Sequence, residues 1–185
     1  MYGNILAACH KKKYNPSLFK SLNNEYITTG VHAIEWGLNN EDAALSFLQK
    51  TENVLIQKTG LWLHKCGYLG ASPDGLIGEN CVVEVKCPYK FRNSLLSEEI
   101  SKDKTYIIYK EHNQIHVNQK HNYWHQVQAQ LYFTRRQKCI FVVWTPRESI
   151  IVHIFKDNQW QNNIEILQKF YFEQYIPYII SNKII

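Results

Sequence analysis

SPDGLIGENCVVEVKCP, residues 72–88, sets a Ser-Pro-Asp-Gly turn ahead of a Val-rich run that carries Glu84 and Lys86 two residues apart. Pro73 and Gly75 predict a type I turn, and CVVEVKC (81–87) predicts a strand. Side chains on a strand alternate between faces, so Glu84 and Lys86 share one face while Val83, Val85 and Cys87 share the other. The turn is tight enough to bring Asp74 beside that strand. Asp74, Glu84 and the backbone carbonyl of Val85 then make an all-oxygen donor set of the kind that holds Mg²⁺ or Mn²⁺. An E-x-K triplet alone carries little weight, because a cross-strand surface ion pair gives the same pattern.

The flanking sequence predicts layers around this strand. A helix opens at Pro16 after Asn15 and runs through SLFKSLNNEY (17–26). A second spans 31–50, with an apolar stripe at Val31, Ile34, Leu38, Leu45 and Leu48. Glu41 fills the missing slot of that stripe, where an ionised carboxylate is costly unless it is paired, bound to a cation or reaching out to water. Strands are expected at NVLIQ (53–57), GLWLHK (60–65), TYIIY (105–109), KCIFVVWT (138–145) and SIIVHIF (149–155). HNYWHQVQAQLYF (121–133) reads as a helix with Trp124, Val127 and Leu131 on one face. A closing amphipathic helix from Asp157 carries Trp160, Ile164, Leu167 and Tyr171, and is expected to end at Pro177.

Composition bounds the class. The 185 residues are 45% hydrophobic and carry a net charge of +5, which suits one folded domain spanning 1–185 with some preference for polyanions. Five cysteines without a C-x-x-C pair argue against a disulfide framework and for a reducing compartment. The longest apolar run, CIFVVW (139–144), is too short to cross a bilayer, and the N-terminus has no signal-type apolar segment. His112 and His116, like His121 and His125, have the i, i+4 spacing of helical zinc ligands, but HNYWH lacks the glutamate of the zinc-protease motif. The cysteines are too scattered for an iron–sulfur cluster. No glycine-rich phosphate loop is present, which argues against ATP hydrolysis. Cys87 is expected to be core, opposite the charged face.

Ser72-Pro73-Asp74-Gly75 followed by Glu84-Val85-Lys86-Cys87-Pro88 resembles the PD-(D/E)xK nuclease motif in the form used by the lambda-exonuclease family, the YqaJ-type viral recombinases. Trp36-Gly37-Leu38-Asn39-Asn40-Glu41 resembles that family's W-G-x-x-x-E helix, and Tyr123-Trp124-His125-Gln126-Val127-Gln128 its Y-x-x-Q-V-Q helix. The resemblance spans roughly residues 2–177. It implies a restriction-endonuclease-like α/β core, a central mixed β-sheet flanked by helices. It also implies Mg²⁺-dependent hydrolysis of DNA phosphodiesters, exonucleolytic on duplex ends in the 5′ to 3′ direction, in recombination or repair.

Such chemistry needs a cation to offset charge developing on phosphoryl oxygens and a positioned nucleophile. By resemblance, Asp74 and Glu84 hold the metal (Mg²⁺, or Mn²⁺), Glu41 joins them directly or through water, and Lys86 orients or helps deprotonate the attacking water. Gln126 would meet that water, Lys86 or the scissile phosphate. Tyr123, Gln126 and Gln130 share a helix face, while Gln128 points elsewhere and is expected to be structural. Tyr123, Gln130, Ser72, Arg135 and Arg136 are candidate substrate contacts, with Lys11, Lys12, Lys13 and Lys138 as further phosphate binders. The resemblance also implies DNA as partner, with a single-strand annealing protein and a homotrimer among the family's associations. It implies an intracellular site, nuclear in a eukaryote, with no membrane and no secretion. The family's Arg/Thr-Ala-Ser block should precede Tyr2-Gly3-Asn4-Ile5; its lack here gives the expectation of a chain truncated at its N-terminus. Two alternatives stay open, a catalytically silent DNA-binding recombination module and an endonuclease of the same superfamily.

Overall fold

The 72–88 stretch folds as its chemistry dictates. In the structure, a computed structural model describing residues 1–25 and 31–182, CVVEVK forms a strand buried on both faces. In chain order the elements are helices α1 (Tyr2–Lys11), α2 (Pro16–Leu22) and α3 (His32–Glu52); strands β1 (Trp62–Leu63), β2 (Gly70–Ala71), β3 (Gly75–Ile77) and β4 (Cys81–Lys86); helix α4 (Leu96–Lys102); hairpin strands β5 (Ile108–Glu111) and β6 (Gln114–Val117); helix α5 (Asn122–Phe133); strands β7 (Lys138–Trp144) and β8 (Ser149–Phe155); and helices α6 (Asn163–Phe170) and α7 (Ile176–Ser181). The described residues fall into two compact units, one built from 1–25 with 157–182, the other from 31–156. Among them, no helix is long and apolar enough to cross a membrane.

The larger unit holds a four-stranded mixed sheet in the order β3-β4-β7-β8, with β4 parallel to β7 and the outer pairs antiparallel. The register sets Val83 beside Ile140, Glu84 beside Phe141 and Val85 beside Val142. Because side chains alternate, Val83, Val85, Ile140 and Val142 form one face, which packs on Ala44, Leu45 and Leu48 of α3. Glu84 turns to the other face, where α5 lies. The expected central mixed sheet between helices is therefore present.

The smaller unit pairs α1 and α2 with the C-terminal helices. Phe19 stacks between Phe170 and Tyr178, and Tyr2 meets Trp160 edge to face.

Several expectations need correction. Residues 53–57 are not a strand: Asn53 takes the left-handed conformation that ends α3, and only Gln57 pairs, in an isolated bridge with Leu76. Residues 60–65 shrink to the two-residue β1, which pairs with β2, and the strand expected at 105–109 begins at Ile108. Helix α1 was not expected, and α2 stops at Leu22; Tyr26, the end of the expected helix, lies outside the described residues. Pro177 does not end the closing helix. Residues 158–162 form a 3₁₀ turn capped by Asp157, α6 passes through a π-helical turn at Tyr171–Tyr175, and Pro177 lies in α7 directly after that turn, inside the continuing helical run. His112 and Asn113 form the two-residue loop of the β5–β6 hairpin, both with positive φ, so His112 and His116 share no helix.

Candidate active site

Two local structures converge on the C-terminal half of β4. The β3–β4 pairing holds the turn at Ser72–Gly75 against the strand, with the Asp74 N–H donating to the Val83 carbonyl at 3.1 Å. The Asp74 carboxylate in turn accepts the Val85 N–H through Oδ2 at 2.7 Å. Helix α5 begins at His121, whose Nδ1 accepts the Tyr123 N–H as a cap. Its inward face delivers two amides to the same carboxylate: Gln126 Nε2 donates to Glu84 Oε1 at 2.7 Å, and Gln130 Nε2 to Glu84 Oε2 at 2.6 Å. The Lys86 ammonium also donates to Glu84 Oε1. The ammonium lies 4.9 Å from the centroid of the Tyr123 ring.

Glu84 is completely buried, an arrangement tolerable only because Lys86 supplies a counter-charge and the two amides supply donors. Burial, and secondarily the Glu84 charge, push the Asp74 carboxyl up to about 7. For Lys86, burial acts downward, but the Glu84 and Asp74 carboxylates outweigh it and its pKa is raised. Lys86 is therefore an ammonium at neutral pH and in this arrangement donates to Glu84.

Asp74, Val85, Lys86 and Glu41 all line one cleft of about 540 Å³. Its other walls are Ile34, Gly37 and Leu38 of α3 and Tyr89, Lys90, Tyr106 and Tyr123. The α3 stripe thus serves two surfaces: Leu45 and Leu48 enter the core, whereas Val31, Ile34 and Leu38 are exposed. Ile34 and Leu38 face the cleft, and Glu41 lies on this open part of the helix, which explains a carboxylate on an apolar stripe.

The chemistry of the donors suits a hard divalent cation. Two adjacent carboxylates, one lifted to about 7 in part by the other's charge, are the electrostatic deficit that such an ion offsets. Asp74, Glu41 and Val85 line the cleft, and Glu84 adjoins it through its ion pair with Lys86. Among the described residues no three acidic, His or Cys side chains converge into a ready-made metal cage.

The structure thus brings together Asp74, Glu84, Lys86, Gln126, Gln130 and Tyr123, with Glu41 lining the same cleft. Gln126 meets Glu84 rather than Lys86. Gln130, expected to contact substrate, is instead wholly buried, and its Nε2 also donates to the Ser72 carbonyl at 3.1 Å. That carbonyl is the contact Ser72 makes within the site. Arg135 and Arg136 stand apart. Arg136 reaches the carbonyls of Thr134 and Gly78, at the end of β4 away from Lys86, and its guanidinium lies 5.4 Å from the Trp62 ring; Arg135 is an exposed residue with positive φ after α5. Gln128 donates to the Phe155 carbonyl, a structural role as expected. Cys87 packs on the core but also lines the cleft, and burial pushes its thiol up to about 11. Tyr89, Lys90 and Tyr106 were not anticipated; the signal for the first two was their place directly after β4 in K-C-P-Y-K.

A mixed sheet between helices, with Glu84 and Lys86 on β4 and Asp74 bonded to it from the turn before β3, defines an α/β protein with a restriction-endonuclease-like core. The model of the YqaJ-like viral recombinase domain matches residues 3–137, and the chain belongs to that family. Among solved structures, an alkaline exonuclease (LHK-Exo) from Laribacter hongkongensis is 24% identical with a TM-score of 0.61, over 82% of this chain and 73% of that one. The same enzyme in complex with dAMP is similar over 98% of this chain and 90% of that one, at 22% identity and a TM-score of 0.68. A phage-related exonuclease from Haemophilus somnus 129PT gives 13% identity and a TM-score of 0.56, over 80% and 73% of the two chains. These likenesses show a shared fold. No curated protein sequence matches the chain at a significant level.

Proposed function

We propose that the chain is a divalent-metal-dependent deoxyribonuclease acting on duplex DNA ends in the 5′ to 3′ direction, in recombination or repair. The observation that carries this reading is the Asp74–Glu84–Lys86 cluster, braced from α5 and set beside an open cleft. Family membership supports it, as do the names of the similar structures, two exonucleases of which one was solved with dAMP.

Asp74, Glu84, the Val85 carbonyl and Glu41 would hold Mg²⁺ or Mn²⁺, which when bound supplies positive charge opposite the phosphoryl oxygens. The remaining work belongs to the chain's own groups. Lys86, held as an ammonium, orients the attacking water and offsets charge on the phosphate; this arrangement does not make it the proton acceptor. Gln126 and Gln130 keep Glu84 in one rotamer without cancelling its charge. The Tyr123 ring limits where the Lys86 ammonium can move.

The closure of Glu84 by Lys86 and the lack, among the described residues, of a ready-made metal cage favour a second reading, a DNA-binding module without turnover. Linear and covalently closed circular duplexes, incubated with Mg²⁺ and wild type or Glu84→Gln, separate the readings. Loss of linear DNA alone, abolished in Glu84→Gln, is expected. Cleavage of closed circles would make the enzyme an endonuclease, and binding without cleavage of either would favour the silent module.

A further inference from the structure

We propose that Gln130 is a positioning residue whose amide clamps Glu84 to the Ser72–Gly75 turn and so fixes the carboxylate pair that receives the cation. The inference rests on the nuclease reading and replaces the substrate contact expected of this residue. Gln130 is wholly buried on α5, and its Nε2 donates to two acceptors from different segments, Glu84 Oε2 on β4 at 2.6 Å and the Ser72 carbonyl at 3.1 Å. A primary amide has two N–H bonds, one for each acceptor. Gln126 and Lys86 occupy Oε1, so Gln130 restrains the other oxygen and with it the rotation of the carboxylate.

The neutrality of the donor matters. Lysine or arginine at 130 would satisfy the same acceptors but would add a positive charge that lowers the affinity for a cation. An amide holds the carboxylate and leaves its charge in place. Packing does not explain the choice either, because Gln130 Oε1 is buried without a hydrogen-bond partner, a cost that an apolar side chain of similar volume avoids.

Gln130→Leu tests the assignment through two readouts: calorimetric titration with Mn²⁺, and steady-state cleavage of linear duplex DNA. The variant should keep the wild-type circular dichroism and bind Mn²⁺ about 10-fold to 100-fold more weakly, the range for residues that orient metal ligands. Its kcat should fall while its KM for DNA stays close to wild type. Unchanged Mn²⁺ affinity in a folded variant overturns the proposal, and a raised KM with unchanged kcat would return Gln130 to the substrate contacts. If Gln130→Leu does not fold, Gln130→Met is measured in the same way, and failure of both to fold makes the residue a determinant of the core and overturns the proposal. Failure of the nuclease reading appears separately, as wild-type protein that binds Mn²⁺ and cleaves nothing; the Mn²⁺ comparison still decides the role of Gln130. Wild-type protein that does not bind Mn²⁺ overturns both.

Discussion

At the scale of single residues, one acid of the proposed site is held above its ordinary range. Asp74 sits at about 7 because burial disfavours its charged form and Glu84 adds a like charge. An acid whose folded pKa lies above its unfolded value binds the extra proton in the folded state. Its stabilising effect is complete below about pH 4 and is lost as pH rises to about 7. In EDTA, Asp74→Asn should therefore be more stable than wild type at pH 8, by about 1–3 kcal/mol, with the gap closing towards pH 4. Thermal melts across that range check the sign, and an Asn variant less stable than wild type at pH 8 would refute it. Asp74, Glu84 and Lys86 were legible in the sequence because a turn and a strand are local, and alternation alone places Glu84 with Lys86. The amide partners of Glu84 were not, since Gln126 and Gln130 lie 42 and 46 positions away and which oxygen each meets depends on how α5 packs.

At the scale of elements, the junction between the Asp74 turn and β3 tolerates little. A Cβ at Gly75 would lie 2.3 Å from Ile56 Cγ2, whereas one at Gly37 in α3 would meet nothing within 4 Å. Gly75→Ala should cost about 1–3 kcal/mol and lower cleavage by displacing the neighbouring Asp74. Gly37→Ala, in a helix interior, should be neutral or stabilise by up to about 1 kcal/mol. Chemical denaturation of both variants tests this order, and the reverse order would contradict it. The same contrast explains which elements could be read beforehand. β4, β7, β8 and α5 are long enough for periodicity to fix their type. The Val-Leu-Ile run at 54–56 only imitates a strand, since Leu55 is exposed and the chain has just left α3 through Asn53. In α3 the period identified the residues that share a face but not what that face meets, so Ile34 and Leu38 were expected in the core and are found on the cleft.

At the scale of the molecule, α3 and α5 grip opposite faces of one sheet, and the cleft opens where β4 ends. This layering turns three sequence blocks, 36–41, 72–88 and 123–128, into neighbours. Their order was readable, but the closure of Glu84 behind Lys86 was not, because it depends on burial that no single block encodes. The most direct test of the proposed chemistry is digestion of linear duplex DNA bearing a 5′ phosphate, in Mg²⁺ and then in EDTA, by wild type and Lys86→Ala. Nucleotide release that requires Mg²⁺ and falls by at least about 100-fold in the folded variant is expected. Release at the wild-type rate by Lys86→Ala, or undiminished in EDTA, would contradict the assignment of this cleft as the catalytic centre.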